Sequence, residues 1–206
     1  NDYVIACFHG GKEFYPYPSP YLQKVFRKIA DAGADVVIAQ HTHCIGCEEK
    51  YQDSYLIYGQ GNFIFDMPGK IAHDQNGLLV NVKCSKKDLS VEYIPIRNTR
   101  GKTEYSPNGE IIIRDFLKRS EEIKQFFFIN QNYSYFANNN LSYYLRIFRG
   151  NTFLSKVLCK LSKHLFLFLC KKKNLLAMQN IIRCEAHREL FIQGLKGFNN
   201  EKRRDC

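Results

Sequence analysis

The chain has 206 residues, of which 45% are hydrophobic and 24% are charged, and its formal net charge is +10. This length and apolar content allow one globular domain with additions, and they exclude a disordered, collagen-like or purely disulfide-stabilised chain. Residues 1–140 hold 16 Lys and Arg against 16 Asp and Glu, whereas residues 141–206 hold 14 against 4. We therefore expect a neutral body followed by a basic tail.

The N-terminus, the apolar runs and the cysteines indicate the kind of chain. Residues 1–8 contain neither an initiator methionine nor a signal peptide, and we interpret the sequence as a piece of a longer protein. No apolar run reaches the roughly 18 residues of a membrane-spanning helix. The single CxxC, Cys44 to Cys47, has no second pair and is weak evidence for zinc or redox chemistry. Reduced, buried thiols are favoured because several cysteines lie on apolar stretches, namely Cys7, Cys84, Cys159 and Cys170.

The first 40 residues predict a βαβ unit. Residues 3–8 and 36–39 are apolar runs typical of buried strands in a parallel sheet. Between them, apolar residues at helical spacing over 21–32 predict an amphipathic helix, capped by Ser19 and closed by Gly33. We therefore expect two parallel strands joined by this helix.

The rest of the chain alternates between short strands and longer helices. Strands are predicted over residues 55–58, 63–65, 78–84 and 89–96, the last two as a hairpin. Helices are predicted over residues 115–128, 152–170 and 175–197, the last two basic on one side. The Asn- and Tyr-rich stretch 130–144 predicts a linker.

Three histidines follow the predicted parallel strands, at the edge of the sheet where ligands bind in open α/β folds. His9 follows the first strand, and His41 and His43 form an H-x-H after the second. In an extended segment, residues i and i+2 point the same way, so both rings can face one metal ion. Imidazole suits Zn, Fe and Mn, and the pattern predicts a metal site. The alternative is loop histidines without a role.

Four motifs surround these histidines in a fixed order: HGGKEFY at 9–15, DAGADVVI at 31–38, HTH at 41–43 and GNFIFD at 61–66. Together they closely resemble the capsule-synthesis CapA family, the poly-γ-glutamate branch of the calcineurin-like metallophosphatase superfamily. The resemblance covers residues 1–96 densely. The stretch CEAHRE at 184–189 also looks like a C-terminal signature of bacterial members.

The resemblance implies an α/β fold. It would be the C-terminal part of a metallophosphatase-like β-sandwich flanked by helices, followed by a small α-helical extension. We expect residues 1–100 to form this part of the domain, with its N-terminal half missing. Residues 101–145 would form a helix and a linker, and residues 146–206 the basic helical extension.

The resemblance also implies site residues. His9 and His41 would hold one divalent ion and His43 a second, the ions being Mn, Fe or Zn. Asn62 would lie in a turn close to the site. Apart from the resemblance, Glu13 is the remaining acid near His9, and as a general acid it would need a raised pKa and reach to the substrate. The alternatives are a turn residue with an unusual backbone angle for Asn62 and a solvated loop carboxylate for Glu13.

The sequence departs from the family pattern at several positions. Gly10 stands where the family usually has Trp, Gln40 where it has His, and Thr42 where it has Pro. The superfamily's remaining ligands, which include a bridging carboxylate, lie upstream of the matching stretch. Only half of the expected metal shell is therefore present, and three neutral imidazoles alone would hold metal weakly.

These features predict a metal-dependent hydrolase of capsule or poly-γ-glutamate biosynthesis. The alternative is a non-catalytic scaffold or polymer-handling subunit that keeps the fold. The expected partners are an anionic polymer or a phosphorylated substrate, and other capsule-synthesis proteins. Lysines beside apolar residues in 152–173 predict a helix packed on the domain with a solvated basic face. The alternatives are a helix on an anionic membrane surface and attraction for an anionic polymer. We expect no nucleic-acid partner and a cytoplasmic or membrane-peripheral location, with an upstream signal left open.

Overall fold

The structure is a computed structural model that describes residues 2–64, 75–86, 88–99, 102–148, 153–161 and 172–183. The chain divides into two compact units, Asn1–Phe136 and Ala137–Cys206. The strands are β1 (Ile5–His9), β2 (Val36–Gln40), β3 (Glu48–Tyr51), β4 (Ser54–Ile57), β5 (Asn76–Cys84), β6 (Leu89–Thr99) and β7 (Lys102–Tyr105). The helices are α1 (Pro20–Asp31), α2 (Gly109–Glu122), α3 (Phe128–Phe148), α4 (Phe153–Leu161) and α5 (Lys172–Arg183).

The first sheet has the strand order β1-β2-β4-β3. Strands β1, β2 and β4 are parallel, and β3 pairs with β4 as an antiparallel hairpin. Helix α1 connects β1 to β2, and the Ser19 hydroxyl caps it by accepting the Leu22 backbone N–H at 3.0 Å. Gly33 follows the helix with a φ of 105°. The predicted βαβ unit is confirmed.

The two faces of β2 pack against different layers. Val37 and Ala39 lie in a core cluster with residues of α1, among them Phe26, which is fully buried. Val36 and Ile38 point to the opposite face and pack against side chains of the second sheet. That sheet is antiparallel with the order β5-β6-β7. Helix, sheet and sheet are thus stacked, and the predicted α/β class is confirmed.

The structure differs from the predicted strands at four places. Strand β1 is an edge strand of the described sheet, so its side chains alternate between exposed and half-buried instead of being buried. Phe63 and Ile64 form a bend, because only single bridges attach this stretch, and Phe65 lies outside the described residues. Strands β3 and β7 were not predicted, since the sequences EEKY and KTEY have few apolar residues.

The helices begin and end at different residues from those expected. Helix α2 begins at Gly109 and ends at Glu122, ahead of the predicted 115–128. The predicted linker 130–144 is part of α3. It is helical because the first turns of α3 bury Ile129 in the core and place Tyr133 and Phe136 against Tyr15.

In the second unit, α4 and α5 confirm that parts of the two predicted helical ranges are helical. The remainder of 152–170 and 175–197, the CEAHRE motif, Cys170 and residues 65–74 lie outside the described residues. Within α4, Phe153, Leu154 and Leu161 are exposed. None of the helices in the described ranges is long and apolar enough to cross a membrane.

A largely buried carboxylate joins α1 to the β3–β4 hairpin. Glu49, whose side chain is 12% exposed, accepts hydrogen bonds from Gln23 at 2.9 Å and from the Tyr58 hydroxyl at 2.7 Å. Arg27 donates two further hydrogen bonds to the same carboxylate, at 2.7 and 2.5 Å. Burial and the neighbouring Glu49 raise the pKa of Tyr58, which keeps the phenol neutral and able to donate. The network orients α1 on the sheet.

Glu49→Gln should destabilise the fold. The amide removes the negative charge that pairs with Arg27, and its NH2 group would face the hydrogen-bond donors that the carboxylate accepts from. We expect a loss of about 1–3 kcal/mol, seen as a lower urea midpoint at unchanged slope. Glu104→Gln is the matched control, since its ion pair with Arg97 is exposed and its loss should leave the midpoint unchanged. Equal midpoints for both variants would contradict this role of Glu49.

Candidate metal centre

The parallel pairing of β1 and β2 brings three histidines together. His9 lies opposite Gln40 in the register of the two strands, and His41 follows Gln40 directly. The ring centroids of His9 and His41 are 4.9 Å apart, and those of His41 and His43 are 6.0 Å apart. The three histidines therefore lie together at the carboxyl edge of the sheet.

The H-x-H segment is not extended, which differs from the expected geometry. His41 has a φ of 98° and His43 a φ of 55°, both in the region that residues with a side chain rarely adopt. Each such residue costs on the order of 1–3 kcal/mol, and strain of this kind concentrates at functional sites. The rings are therefore brought together by a bent backbone and not by an extended segment.

Buried hydrogen bonds hold this strained turn. Thr42 is 3% exposed, and its hydroxyl donates to the Cys44 carbonyl at 3.1 Å. The Thr42 carbonyl accepts the Phe14 backbone N–H at 2.8 Å. Gly59 packs so closely on the turn that a Cβ there would lie 2.7 Å from the Thr42 hydroxyl oxygen. Thr42, which replaces the family's usual proline, thus fixes the backbone between the two histidines.

Glu13, His41 and His43 form a group with the spacing of metal ligands. One donor atom from each residue lies within 4.8 Å of the other two. Within the group, Glu13 Oε1 lies 3.7 Å from His41 Nε2. Two imidazoles and a carboxylate are a ligand set of catalytic zinc sites, which keep a further position open. The donor set therefore fits a divalent ion, with His9 beside it.

Asn62 lies against the His43 ring. Its Oδ1 is 2.9 Å from His43 Nδ1, and the residue is 7% exposed. With Oδ1 accepting from Nδ1–H, the lone pair of His43 lies on Nε2, as in metal sites where the second nitrogen is held by a hydrogen bond. Gly77 permits this placement, because a Cβ there would lie 2.4 Å from the Asn62 carbonyl oxygen.

Phe14 stacks on His43 with ring centroids 5.9 Å apart. Its φ of 58° turns the side chain toward the site. No local sequence pattern predicts this contact, because a positive φ at Phe has no local signal. An aromatic face is thus present near the site although Gly10 occupies the family's tryptophan position.

Two tyrosines hold the loop that carries Glu13 and Phe14. The Tyr15 hydroxyl donates to Asn132 Oδ1 at 2.7 Å, and its ring packs on Phe136 with centroids 4.4 Å apart. The Tyr17 hydroxyl donates to Glu122 at 2.5 Å. Burial raises the pKa of Tyr15 to about 12 and also raises that of Tyr17. Both phenols therefore stay neutral donors at physiological pH, and the loop is fixed to α2 and α3.

A cavity of about 580 Å³ opens at the histidines. Its polar side is formed by the three histidines, Gln40, Gln60 and Asn62. Its other side is apolar and is formed by Phe63, Ile64, Leu78, Leu79 and Ile96. These apolar residues were not predicted as part of a site, since they come from the bend and from strands of the second sheet.

The two thiols of the CxxC lie in different surroundings. Cys47 lies in the hydrophobic core, and burial raises the pKa of its thiol. Cys44 is half-buried. The expectation of buried thiols is wrong for Cys7 and Cys84, which are exposed because Cys7 lies on the edge strand and Cys84 at the end of β5.

The fold and the cluster define a class: an α/β domain with a candidate metal centre at the carboxyl ends of its parallel strands. Residues 1–67 match the family model described as bacterial capsule synthesis protein PGA_cap. The chain is 34% identical over 65 residues to the capsule biosynthesis protein CapA of Bacillus anthracis, which is 32% of this chain and 16% of the relative. It is equally identical over 65 residues to the PGA biosynthesis protein CapA of Bacillus subtilis strain 168, covering 17% of that relative.

Residues 1–67 therefore match this family of capsule synthesis proteins. The match spans about one sixth of the length of these relatives. All five residues singled out from the sequence lie within it: His9, Glu13, His41, His43 and Asn62.

Tyr15→Phe should loosen the loop, because it removes the hydroxyl that pairs with Asn132. We expect a loss of about 1 kcal/mol in the free energy of unfolding near neutral pH. Tyr135→Phe on the same helix is the control, since Tyr135 is 71% exposed, and it should have no effect.

Wild type and Tyr15→Phe together also test how the stability of the fold depends on pH. In the folded protein the pKa of Tyr15 is raised from 10.0 to about 12. The stabilisation that its neutral hydroxyl contributes to the fold is therefore complete below pH 10 and is lost as the pH rises through 12. The stability difference between wild type and Tyr15→Phe should shrink over that range in urea titrations. A constant difference from pH 8 to pH 12 would contradict the assignment.

Proposed function

We propose that this protein is a metal-dependent hydrolase of capsule biosynthesis, with the metal held by Glu13, His41 and His43. The observation that carries the proposal is the convergence of their donor atoms within 4.8 Å, inside the segment that matches the capsule-synthesis family. Strained backbone at both histidines supports it, because such strain is retained where a site requires it.

A single divalent ion, Mn, Fe or Zn, fits the three-residue group, and a second ion is part of the proposal through His9. The His9 ring lies beside the His41 ring. A second ion bound by His9 would therefore lie close to the first ion, at the same edge of the pocket. Such ions supply a bound water of lowered pKa and polarise a phosphoryl or carbonyl oxygen.

The chain's own residues would prepare the ligands and the proton transfer. Asn62 fixes the tautomer and the ring orientation of His43, and Phe14 covers one face of that ring. Glu13 is 44% exposed at its side chain and lies at 3.7 Å from His41, so it is placed either to bind metal or to carry a proton between the site and solvent.

The proposed substrate is a phosphorylated compound or an anionic polymer. The Bacillus subtilis relative is named for PGA biosynthesis, which supports a role near an anionic polymer. Other capsule-synthesis proteins are proposed partners of the whole protein. A membrane surface is a proposed partner of α4, whose apolar Phe153 and Leu154 and basic Lys156 and Lys160 are all exposed.

A second candidate function is a non-catalytic scaffold that retains the fold. One observation favours it: within the described residues, the metal-ligand group contains a single carboxylate, Glu13. A two-metal hydrolase relies on carboxylates to balance the charge of its ions, and this group offers one. Metal content and turnover together separate the two functions.

The test is elemental analysis and calorimetric Mn²⁺ titration of the full chain and of two histidine variants. His43→Ala should lower the metal affinity at least tenfold and abolish phosphatase turnover, because it removes a ligand. His187→Ala is the matched control, since this histidine lies outside the segment 1–67, and it should bind metal like the parent.

Two results would contradict the proposal. A parent chain without metal affinity would leave the scaffold as the function. Equal affinity in the parent and in His43→Ala would place the metal elsewhere in the chain.

A further inference from the structure

Exposed apolar side chains line the cavity beside the histidines. Phe63 is 52% exposed, Ile64 65% and Leu79 37%, and all three line the cavity. Leu78 and Ile96 complete this wall from the second sheet. Large apolar side chains that cluster in solvent at one side of a pocket are typical of a ligand contact.

Hydrogen bonds to the second sheet fix this wall. The Thr103 hydroxyl donates to the Phe63 carbonyl at 2.7 Å, and the Leu78 backbone N–H donates to the Gln60 carbonyl at 2.7 Å. The bridge between Gly61 and Gly77 joins the bend to β5. The wall is therefore set at a fixed distance from the histidines, as a preformed subsite requires.

The polar side of the cavity carries no fixed positive charge in the described part of the chain. Its lining residues there include no Lys or Arg, and Gln40 and Gln60 are neutral. Gln40 donates to Gln60 at 3.3 Å, so these amides are paired with each other. Positive charge at the site would come from the proposed metal ion, which would bind one anionic group.

We propose that this cavity binds a substrate with one anionic head group and an adjacent apolar group. The inference rests on the proposed function, because the metal ion would hold the head group. Phe63, Ile64 and Leu79 would hold the apolar group, which gains by leaving water. A chain of closely spaced negative charges fits less well, since an apolar wall offers its second charge no partner.

The test is a calorimetric titration of the Mn²⁺-loaded full chain with alkyl phosphates from methyl to hexyl. Affinity should rise about twofold per added methylene, roughly half the free energy of full burial, because the wall covers one side of the alkyl chain. Leu79→Ser and Ile64→Ser should flatten this rise and leave the affinity for methyl phosphate unchanged. Leu117→Ser is the matched control, since Leu117 is 53% exposed on α2 and does not line the cavity.

The outcomes separate this inference from the proposed function. If methyl phosphate binds and hexyl phosphate binds no more tightly, the apolar subsite is wrong and the metal site stands. If neither an alkyl phosphate nor penta-glutamate binds to the metal-loaded chain, the proposed function is wrong and the subsite falls with it. Tighter binding of penta-glutamate than of hexyl phosphate would overturn the inference in favour of a polymer.

Discussion

The parallel pairing of β1 with β2 is the constraint on which the candidate site depends. The register sets His9 opposite Gln40, and the next residue of the second strand is His41. A shift by one residue would turn His9 to the other face of the sheet and separate the two rings. Helix α1 and the Glu49 network hold this register by packing one face of the sheet, while the second sheet packs the other.

The site is assembled where three layers meet, and each layer supplies a different element. The strand ends supply imidazoles, the loop before α1 supplies Glu13 and Phe14, and the bend packed on the second sheet supplies Asn62 and the apolar wall. The backbone strain at His41 and His43 is offset by the buried turn at Thr42 and by the close packing of Gly59 against it. Residues 122–136, which lie outside the family match, fix the loop, so the candidate site depends on both parts of the first unit.

The sequence predicted the βαβ unit and the position of the histidines, because apolar periodicity and capping at Ser19 are local signals. It did not predict β3, whose residues Glu48–Tyr51 are polar and acquire strand structure from pairing with β4. Nor did it predict the stacking of Phe14 on His43, which depends on a backbone angle set by a hydrogen bond to Thr42. The sequence predicts a linker over 130–144, where the structure has a helix, because the stability of this helix comes from tertiary packing rather than from propensity.

The most direct test of this account is X-ray absorption at the zinc edge on the Zn²⁺-loaded full chain and its His41→Ala variant. The account predicts imidazole nitrogens at about 2.0–2.1 Å from the ion in the parent and one fewer in the variant. A shell of oxygens alone in the parent, or identical spectra for the two proteins, would contradict the claim that the ends of β1 and β2 form a metal centre.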